Sequence, residues 1–232
     1  MKKITEYFTK LEITLWSCSV FLILVSFAIF DRENYMTLTA SLIGVTSLIF
    51  SAKGNPIGQF LMVIFSLLYG VISYSCAYYG EMITYLGMTM PMAIFALVSW
   101  LRNPYNGKRS EVKVNDIGKM ETAFMWVLSV IVTVLFYFIL DAFQAANIVP
   151  STLSVTTSFV AVYLTFRRSP YFALAYAAND IVLLVLWALA SMESIRYVSV
   201  FVCFAAFLVN DLYGFVSWRK MKKRQQKTTC NM

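Results

Sequence analysis

Polar clusters divide this chain into eight apolar segments, approximately 13–30, 37–52, 57–79, 82–101, 122–143, 151–166, 171–190 and 195–218. A helix needs roughly 20 apolar residues to cross a bilayer, so most of these are long enough, and 37–52 and 151–166 are short for a span. The first run, Ile13 to Phe30, is too long for the core of a secretory signal and has no small-residue cleavage pattern after it, so it is expected as a retained helix. Two interruptions break the pattern. Asn179-Asp180 lies in the middle of the seventh run and Asn210-Asp211 in the middle of the eighth. An ionisable group at membrane depth is costly and usually faces a cavity or a partner. Asn179 lies nine residues after Pro170, or ~14 Å along a helix, and Asn210 lies eight residues before Trp218, or ~12 Å. Antiparallel neighbours would bring both pairs close to the midplane, as a polar pocket for a small polar ligand. The alternative is that each pair is a hydrogen-bonding clamp between helices.

Composition strengthens the membrane reading. The 232 residues are 59% hydrophobic and 13% charged, with a mean hydropathy of +0.69, whereas soluble domains carry about 25% charged residues. The net charge of +7 therefore does not call for nucleic acid. With the N-terminus in the cytoplasm, eight spans place all 19 Lys and Arg on the inside except Arg32 and Arg196. One span more or fewer would break that sorting, so both termini are expected inside a cell membrane. The connection from Asn103 to Glu121 contains Pro104 and the turn signal Asn106-Gly107 and reads as an ordinary solvated cytoplasmic loop. The basic run after Trp218 reads as a membrane-edge tail.

The absences narrow the chemistry. The chain has no histidine, which removes a His-based proton relay, a His-ligated metal and a Ser-His-Asp triad. Cys18, Cys76, Cys203 and Cys230 are scattered without metal or redox spacing and read as apolar filler and one tail thiol. No Gly-rich phosphate loop is present. No catalytic residue, cofactor or metal is expected, and the chain is not read as an enzyme.

A repeat organises the runs. The stretches 37–103 and 150–220 each hold three apolar segments with shared punctuation. The first segment of each ends in a basic residue and a proline, Lys53-Gly54-Asn55-Pro56 and Arg167-Arg168-Ser169-Pro170. The third begins Glu81-x-x-x-Tyr85 and Glu193-x-x-x-Tyr197, and ends Val98-Ser99-Trp100 and Val216-Ser217-Trp218 before a basic end. By the charge sorting both units run in the same direction. The expected fold is all-α and polytopic: an extra N-terminal helix (1–36), a three-helix repeat (37–103), a loop and linking helix (104–149), a second repeat (150–220) and a basic tail (221–232). Parallel repeats around a midplane site are a transporter architecture.

The polar groups are unequally shared between the units. Tyr176, Asn179 and Asp180 share one helical face, with Leu183 and Trp187 further along it. Asn210, Tyr213 and Gly214 share another, with Ser217 and Trp218 beyond, Trp218 being expected in the interfacial aromatic belt. The first unit offers Gln59, Ser66, Tyr69, Thr84, Tyr85 and Thr89 as a softer wall, and Pro91 in mid-helix suggests a kink. Amides and carboxylates grip vicinal hydroxyls, and tyrosine and tryptophan faces attract cations. The combination suits a ligand with hydroxyls and a planar, cationic ring.

The three-one-three layout, Ala178-Asn179-Asp180-Ile181, Asn210-Asp211-Leu212-Tyr213-Gly214 and the Val-Ser-Trp ends together resemble the Pnu family of vitamin transporters, closest to its nicotinamide riboside branch. The resemblance covers roughly 37–220, and the run 13–30 is similar to an additional N-terminal helix of some members. It implies a fold like that of full-length SWEET sugar carriers, a homotrimer, and facilitated diffusion of nicotinamide riboside, trapped by a cytoplasmic kinase for NAD synthesis. It also implies substrate contacts from Asn179, Asp180, Asn210, Asp211 and Tyr213, then Tyr176, Gln59 and Tyr85. The chain departs from the family where many members carry Trp-x-x-Trp before the seventh-segment aspartate; Ala173 and Tyr176 stand there. That leaves carriage of thiamine or a deoxynucleoside as an alternative. A proton-coupled carrier using Asp180 and Asp211 is another, and a non-transporting protein with structural Asn-Asp clamps a third.

Overall fold

In the computed structural model, which describes residues 7–75, 78–145 and 147–230, eight helices are long and apolar enough to span a membrane. They are α1 (Lys10–Phe30), α2 (Tyr35–Ala52), α3 (Pro56–Ser75), α4 (Tyr79–Arg102), α5 (Lys119–Ala142), α6 (Ile148–Phe166), α7 (Phe172–Glu193) and α8 (Val198–Cys230). Lys2, Lys3 and Cys76 of the sequence reading lie outside the described residues. Cys18 is exposed on α1 and Cys203 is buried in α8.

Six helices close a ring, α2–α3–α4–α6–α7–α8, in which each packs on the next and α8 returns to α2. The other two stand outside it: α1 lies on α8 and α2, and α5 lies on α6. Burial separates the two sets. Only 17% of the hydrophobic window of α1 and of α5 is buried, against 56% for α2 and α6, so the satellites turn most of their apolar surface outward as lipid-facing helices do.

Local chemistry sets the ends and the breaks. Thr9 and Glu12 form a reciprocal capping box at the start of α1, satisfying two of the amides that a helix start leaves open. Pro56 opens α3, where its missing N–H costs nothing. Pro91 lacks the donor that a regular helix needs in mid-span, and the strain is taken up one turn earlier, where Tyr85–Thr89 forms a π-helical turn. The expected disturbance at Pro91 is therefore a widened turn, which aims Tyr85 and Thr89 inward.

The corners after α2 and α6 are built alike. The Asn55 amide donates to the Phe50 carbonyl at 3.0 Å and the Ser169 amide to the Leu164 carbonyl at 2.9 Å. At both corners the preceding residue is left-handed, Gly54 at φ +67° and Arg168 at φ +56°.

Two sequence expectations on the basic end change. The connection after α4 is an ordered hairpin, β1 (Pro104–Tyr105) and β2 (Lys108–Val112), turning through Asn106 and Gly107 at positive φ. Its far strand is docked. The Val112 amide donates to the Gly54 carbonyl at 2.9 Å, the Asn115 amide to the Arg168 carbonyl at 3.0 Å, and the Val114 amide to Gln225 Oε1 at 2.9 Å. The loop thus ties both corners to α8, and Val112 is fully buried. The second change is α8 itself, which continues as one helix through the basic tail, held to the loop by Lys222–Asp116 and Arg224–Glu111 pairs.

Candidate functional site: a closed cavity inside the six-helix ring

Each ring helix contributes to one small central cavity, and neither satellite does. Leu48 comes from α2, Met62 and Phe65 from α3, Tyr85 and Thr89 from α4, Ser158 from α6, Tyr176, Asn179 and Asp180 from α7, and Phe204, Phe207 and Asp211 from α8. Its volume is about 20 Å³. That is room for about one water, far below the roughly 300–1,000 Å³ of a small-molecule pocket. The conformation is closed.

The polar wall is on α6, α7 and α8. Asn179 Oδ1 accepts from Thr157 Oγ1 at 2.8 Å and from Ser158 Oγ at 3.0 Å, which anchors the α7 amide to α6. The carboxyl groups of Asp180 and Asp211 face each other within hydrogen-bonding reach, and each residue is at most 4% exposed. Asp180 Oδ2 has no hydrogen-bond partner among the described residues. Two carboxyl groups at this range repel in a low-dielectric site unless a positive charge lies between them, and that charge is a proton or a ligand's cation. The α2, α3 and α4 side is aromatic and weakly polar, with Phe65, Tyr85 and Thr89.

Aromatic layers seal the cavity at both ends. Toward the end carrying Arg32 and Arg196, Tyr69 lies 4.4 Å from Tyr85 and 5.5 Å from Phe204 by ring centroid, and its hydroxyl accepts the Trp187 indole N–H at 2.7 Å. Toward the basic end, Trp100, Phe172 and Trp218 pack together, with the two tryptophans fully buried. Their hydrogen bonds cross the ring reciprocally. Ser99 and Trp100 of α4 donate to the Phe166 and Thr165 carbonyls that end α6, at 3.0 and 2.9 Å. Ser217 and Trp218 of α8 donate to the Ala52 and Ser51 carbonyls that end α2, both at 2.8 Å. Trp218 is thus a core residue and not the interfacial belt residue expected from its place beside the basic end. The Ser51 and Thr165 carbonyls, past the regular helical ladder, accept the Gly54 and Arg168 amides of the corner turns at 2.9 and 3.0 Å, and the indole adds a second donor to each.

The structure brings Tyr85, Tyr176, Asn179, Asp180 and Asp211 to the cavity and leaves Asn210, Tyr213 and Gln59 off its wall. Successive helical residues point about 100° apart; on α7 both Asn179 and Asp180 reach the wall, whereas on α8 Asp211 does and Asn210 turns toward α1. The Asn210 amide donates to Ser19 Oγ of α1 at 2.9 Å and to the Ala206 carbonyl at 2.8 Å. This is the interhelical clamp that was the alternative reading of the pair. Tyr213 donates to Glu12 Oε1 of α1 at 2.8 Å, and Gln59 donates to Ser51 Oγ at 3.3 Å, beside the basic-end seal.

Sequence reasoning did not single out Glu12, Ser19, Thr157 or Ser158. Glu12 is 2% exposed and also meets Lys53 at 3.4 Å. Its signals were an acidic residue in the first turn of an otherwise apolar run and the Thr9-x-x-Glu12 capping spacing, neither of which points to Tyr213 or Lys53. Ala173, at the position of a family tryptophan, is fully buried; a Cβ on Gly214 of α8 would come within 3.3 Å of its own Cβ. The α7–α8 crossing there is too close for an indole. Among the described residues no group of three Cys, Asp, Glu or His side chains converges to hold a metal ion.

Known proteins match most of this chain. The chain is 25% identical over 196 residues to the nicotinamide riboside transporter PnuC of Haemophilus influenzae, covering 83% of this chain and 82% of that one. It is 26% identical over 203 residues to PnuC of Neisseria mucosa, covering 84% and 76%. The fold matches the crystal structure of the vitamin B3 transporter PnuC with a TM-score of 0.82 at 22% identity, over 94% of each chain. The family model for the nicotinamide mononucleotide transporter matches residues 34–220, which includes five ring helices and the first two thirds of α8 and leaves out α1. The chain is a membrane protein of the nicotinamide mononucleotide transporter family, to which its likeness to the Pnu vitamin transporters also points.

Proposed function

We propose that this chain takes up nicotinamide riboside across the cell membrane by facilitated diffusion, with both termini in the cytoplasm and the substrate trapped there by phosphorylation. The observation that carries the reading is the Asp180–Asp211 carboxyl pair, unneutralised by any basic side chain on the cavity wall and set beside Asn179, Tyr85 and Tyr176. A pyridinium ring would supply the missing positive charge between the acids and lie against tyrosine faces, and ribose hydroxyls would bond Asn179 and Ser158. Both curated relatives bear the name of nicotinamide riboside transporters, which supports the same ligand here. In this reading Asn210, Tyr213 and Gln59 hold the frame and do not touch the substrate.

The cycle would open one aromatic seal at a time as the unit 37–103 rocks against the unit 150–220 around the fixed site. The Ser-Trp bonds join those two units, so they are what must break for release toward the basic end. The homotrimer implied by the family resemblance would use outward apolar faces such as those of α1 and α5.

The test is uptake of labelled nicotinamide riboside into proteoliposomes of the purified protein. Saturable uptake that stops at equal concentrations, accelerates with substrate preloaded inside, and falls at least tenfold in Asp180→Asn is expected. Uptake of thiamine or a deoxynucleoside in its place would overturn the substrate. A proton-coupled carrier is the second reading, because the paired acids could pass a proton. Accumulation above equilibrium driven by a pH gradient would establish it and sink facilitated diffusion.

A further inference from the structure

A second, larger cavity lies in line with the central one. It opens at the end carrying Arg32 and Arg196, has a volume of about 500 Å³, and falls within the size range of small-molecule sites. Asp31, Glu33 and Asn34 reach it from the α1–α2 turn, Thr37 from α2, and Arg196 and Tyr197 from the α7–α8 turn. A small void of about 10 Å³ separates it from the centre. Thr37 lines both the large cavity and this void, and Phe65 lines both the void and the central cavity. The three spaces form one interrupted path.

We propose that the large cavity is a loading site, where a monocationic aromatic nucleoside is held before the Tyr69–Trp187 layer opens to admit it. This inference rests on the proposed function and assigns a second site to the same substrate. Charge favours a cation, since two carboxyl groups face the space and one guanidinium does. Burial raises the Asp31 carboxyl above its ordinary range, the Arg196 charge and the Ser199 hydroxyl offset part of that rise, and the neighbouring Glu33 charge adds to it. Asp31 is buried, whereas Glu33 is exposed and is the carboxylate open to a ligand. The base of the cavity has a waiting polar group. Thr37 is 5% exposed and its hydroxyl has no hydrogen-bond partner among the described residues, a state that costs free energy unless a ligand or water answers it. Tyr197 supplies a ring, held 5.6 Å from Trp187 by centroid, so the wall of the loading site is continuous with the layer that closes the centre. A hydroxylated cation with a planar ring finds a carboxylate, an unpaired hydroxyl and an aromatic face in one space.

The test compares initial uptake of nicotinamide riboside with that of its uncharged dihydro form in proteoliposomes, for the wild-type protein, Glu33→Gln and Thr37→Val. Glu33→Gln is expected to raise KM for the cation roughly two- to fivefold, the range of a partly solvated charge, with maximal rate unchanged and the uncharged form unaffected. High salt should shrink that difference. Thr37→Val should raise KM for both forms. Unchanged KM in both variants, with wild-type transport intact and wild-type melting temperatures retained, would overturn the loading site and leave an open water-filled cleft. Absence of wild-type nicotinamide riboside uptake would overturn the proposed function and the loading site with it.

Discussion

Trp100 and Trp218 lie 5.3 Å apart by ring centroid, and each donates its indole N–H to the helix end of the opposite three-helix stretch, Thr165 for Trp100 and Ser51 for Trp218. The two bonds close the basic end below the cavity, and each adds a second donor to a carbonyl at a helix end that also accepts a backbone amide of the following turn. Trp218→Phe keeps most of the ring and removes the donor. A cost of about 1 kcal/mol is expected, the ordinary net value of such a bond, and Trp100→Phe should cost about the same. Thermal melting of the purified protein checks the stability. A cysteine placed at Ser158 and probed with a membrane-impermeant thiol reagent from the basic side checks the seal. Labelling should accelerate in either Phe variant, and an unchanged rate would show that these bonds do not close the path.

The acids of the cavity separate binding from folding. Asp180→Asn and Asp211→Asn keep the shape and replace one carboxyl of a buried pair by a neutral amide, so the fold is expected to survive with its melting temperature within a few degrees. Affinity for a cationic nucleoside should fall by about tenfold or more, the scale of one charge-assisted contact. Ligand-induced thermal stabilisation reads both quantities in one titration, since a ligand that binds the native state raises the melting temperature. Unfolding of both variants with no ligand-specific loss would make the pair a structural element.

Asn210 should behave differently from its neighbour. Its amide is spent on Ser19, so Asn210→Ala is expected to loosen α1 and to change substrate affinity little. A double-mutant cycle with Ser19→Ala should return a coupling of about 0.6 kcal/mol, the usual size of a hydrogen bond between membrane helices. Coupling near zero together with a large loss of affinity would return Asn210 to the substrate.

Close helix packing gives the most severe expectation. A Cβ on Gly58 would come within 2.6 Å of the Ser51 amide nitrogen and 2.9 Å of the Ser47 carbonyl oxygen, which are backbone atoms and cannot swing aside. Ser47 already donates its hydroxyl to the Gly58 carbonyl at 2.8 Å across this α2–α3 crossing. Gly58→Ala is expected to destabilise by about 1–3 kcal/mol through overpacking, whereas Ala at Gly118, where nothing lies near the added carbon, should cost only the loss of a glycine helix cap, about 0.5 kcal/mol. Melting of the two variants side by side decides it.

How much of this was legible in the chain differs residue by residue. The runs that became α1 to α8 were visible because a bilayer demands a long apolar stretch from each span separately, and that demand is local. The same holds for the Asn179-Asp180 pair, an expensive interruption wherever the helix packs, and for the matching corners at Gly54 and Arg168, written in short sequence signatures. The facing of Asp211 and Asn210 was not local. On α7 both members of the pair reach the cavity and on α8 only one does, and the packing of α8 between α7, α2 and α1 decides which. Trp218 read as an interfacial residue because its sequence neighbours are basic, yet the end of α2 covers it. Glu12 and Val112 were silent for the same reason, since their partners Tyr213, Lys53 and Gly54 lie far away along the chain. What the sequence by itself determined is the set of spans and the chemistry available at the midplane. Which groups confront one another across the ring, and that both ends of the path are shut, was decided by contacts between helices that no single segment encodes.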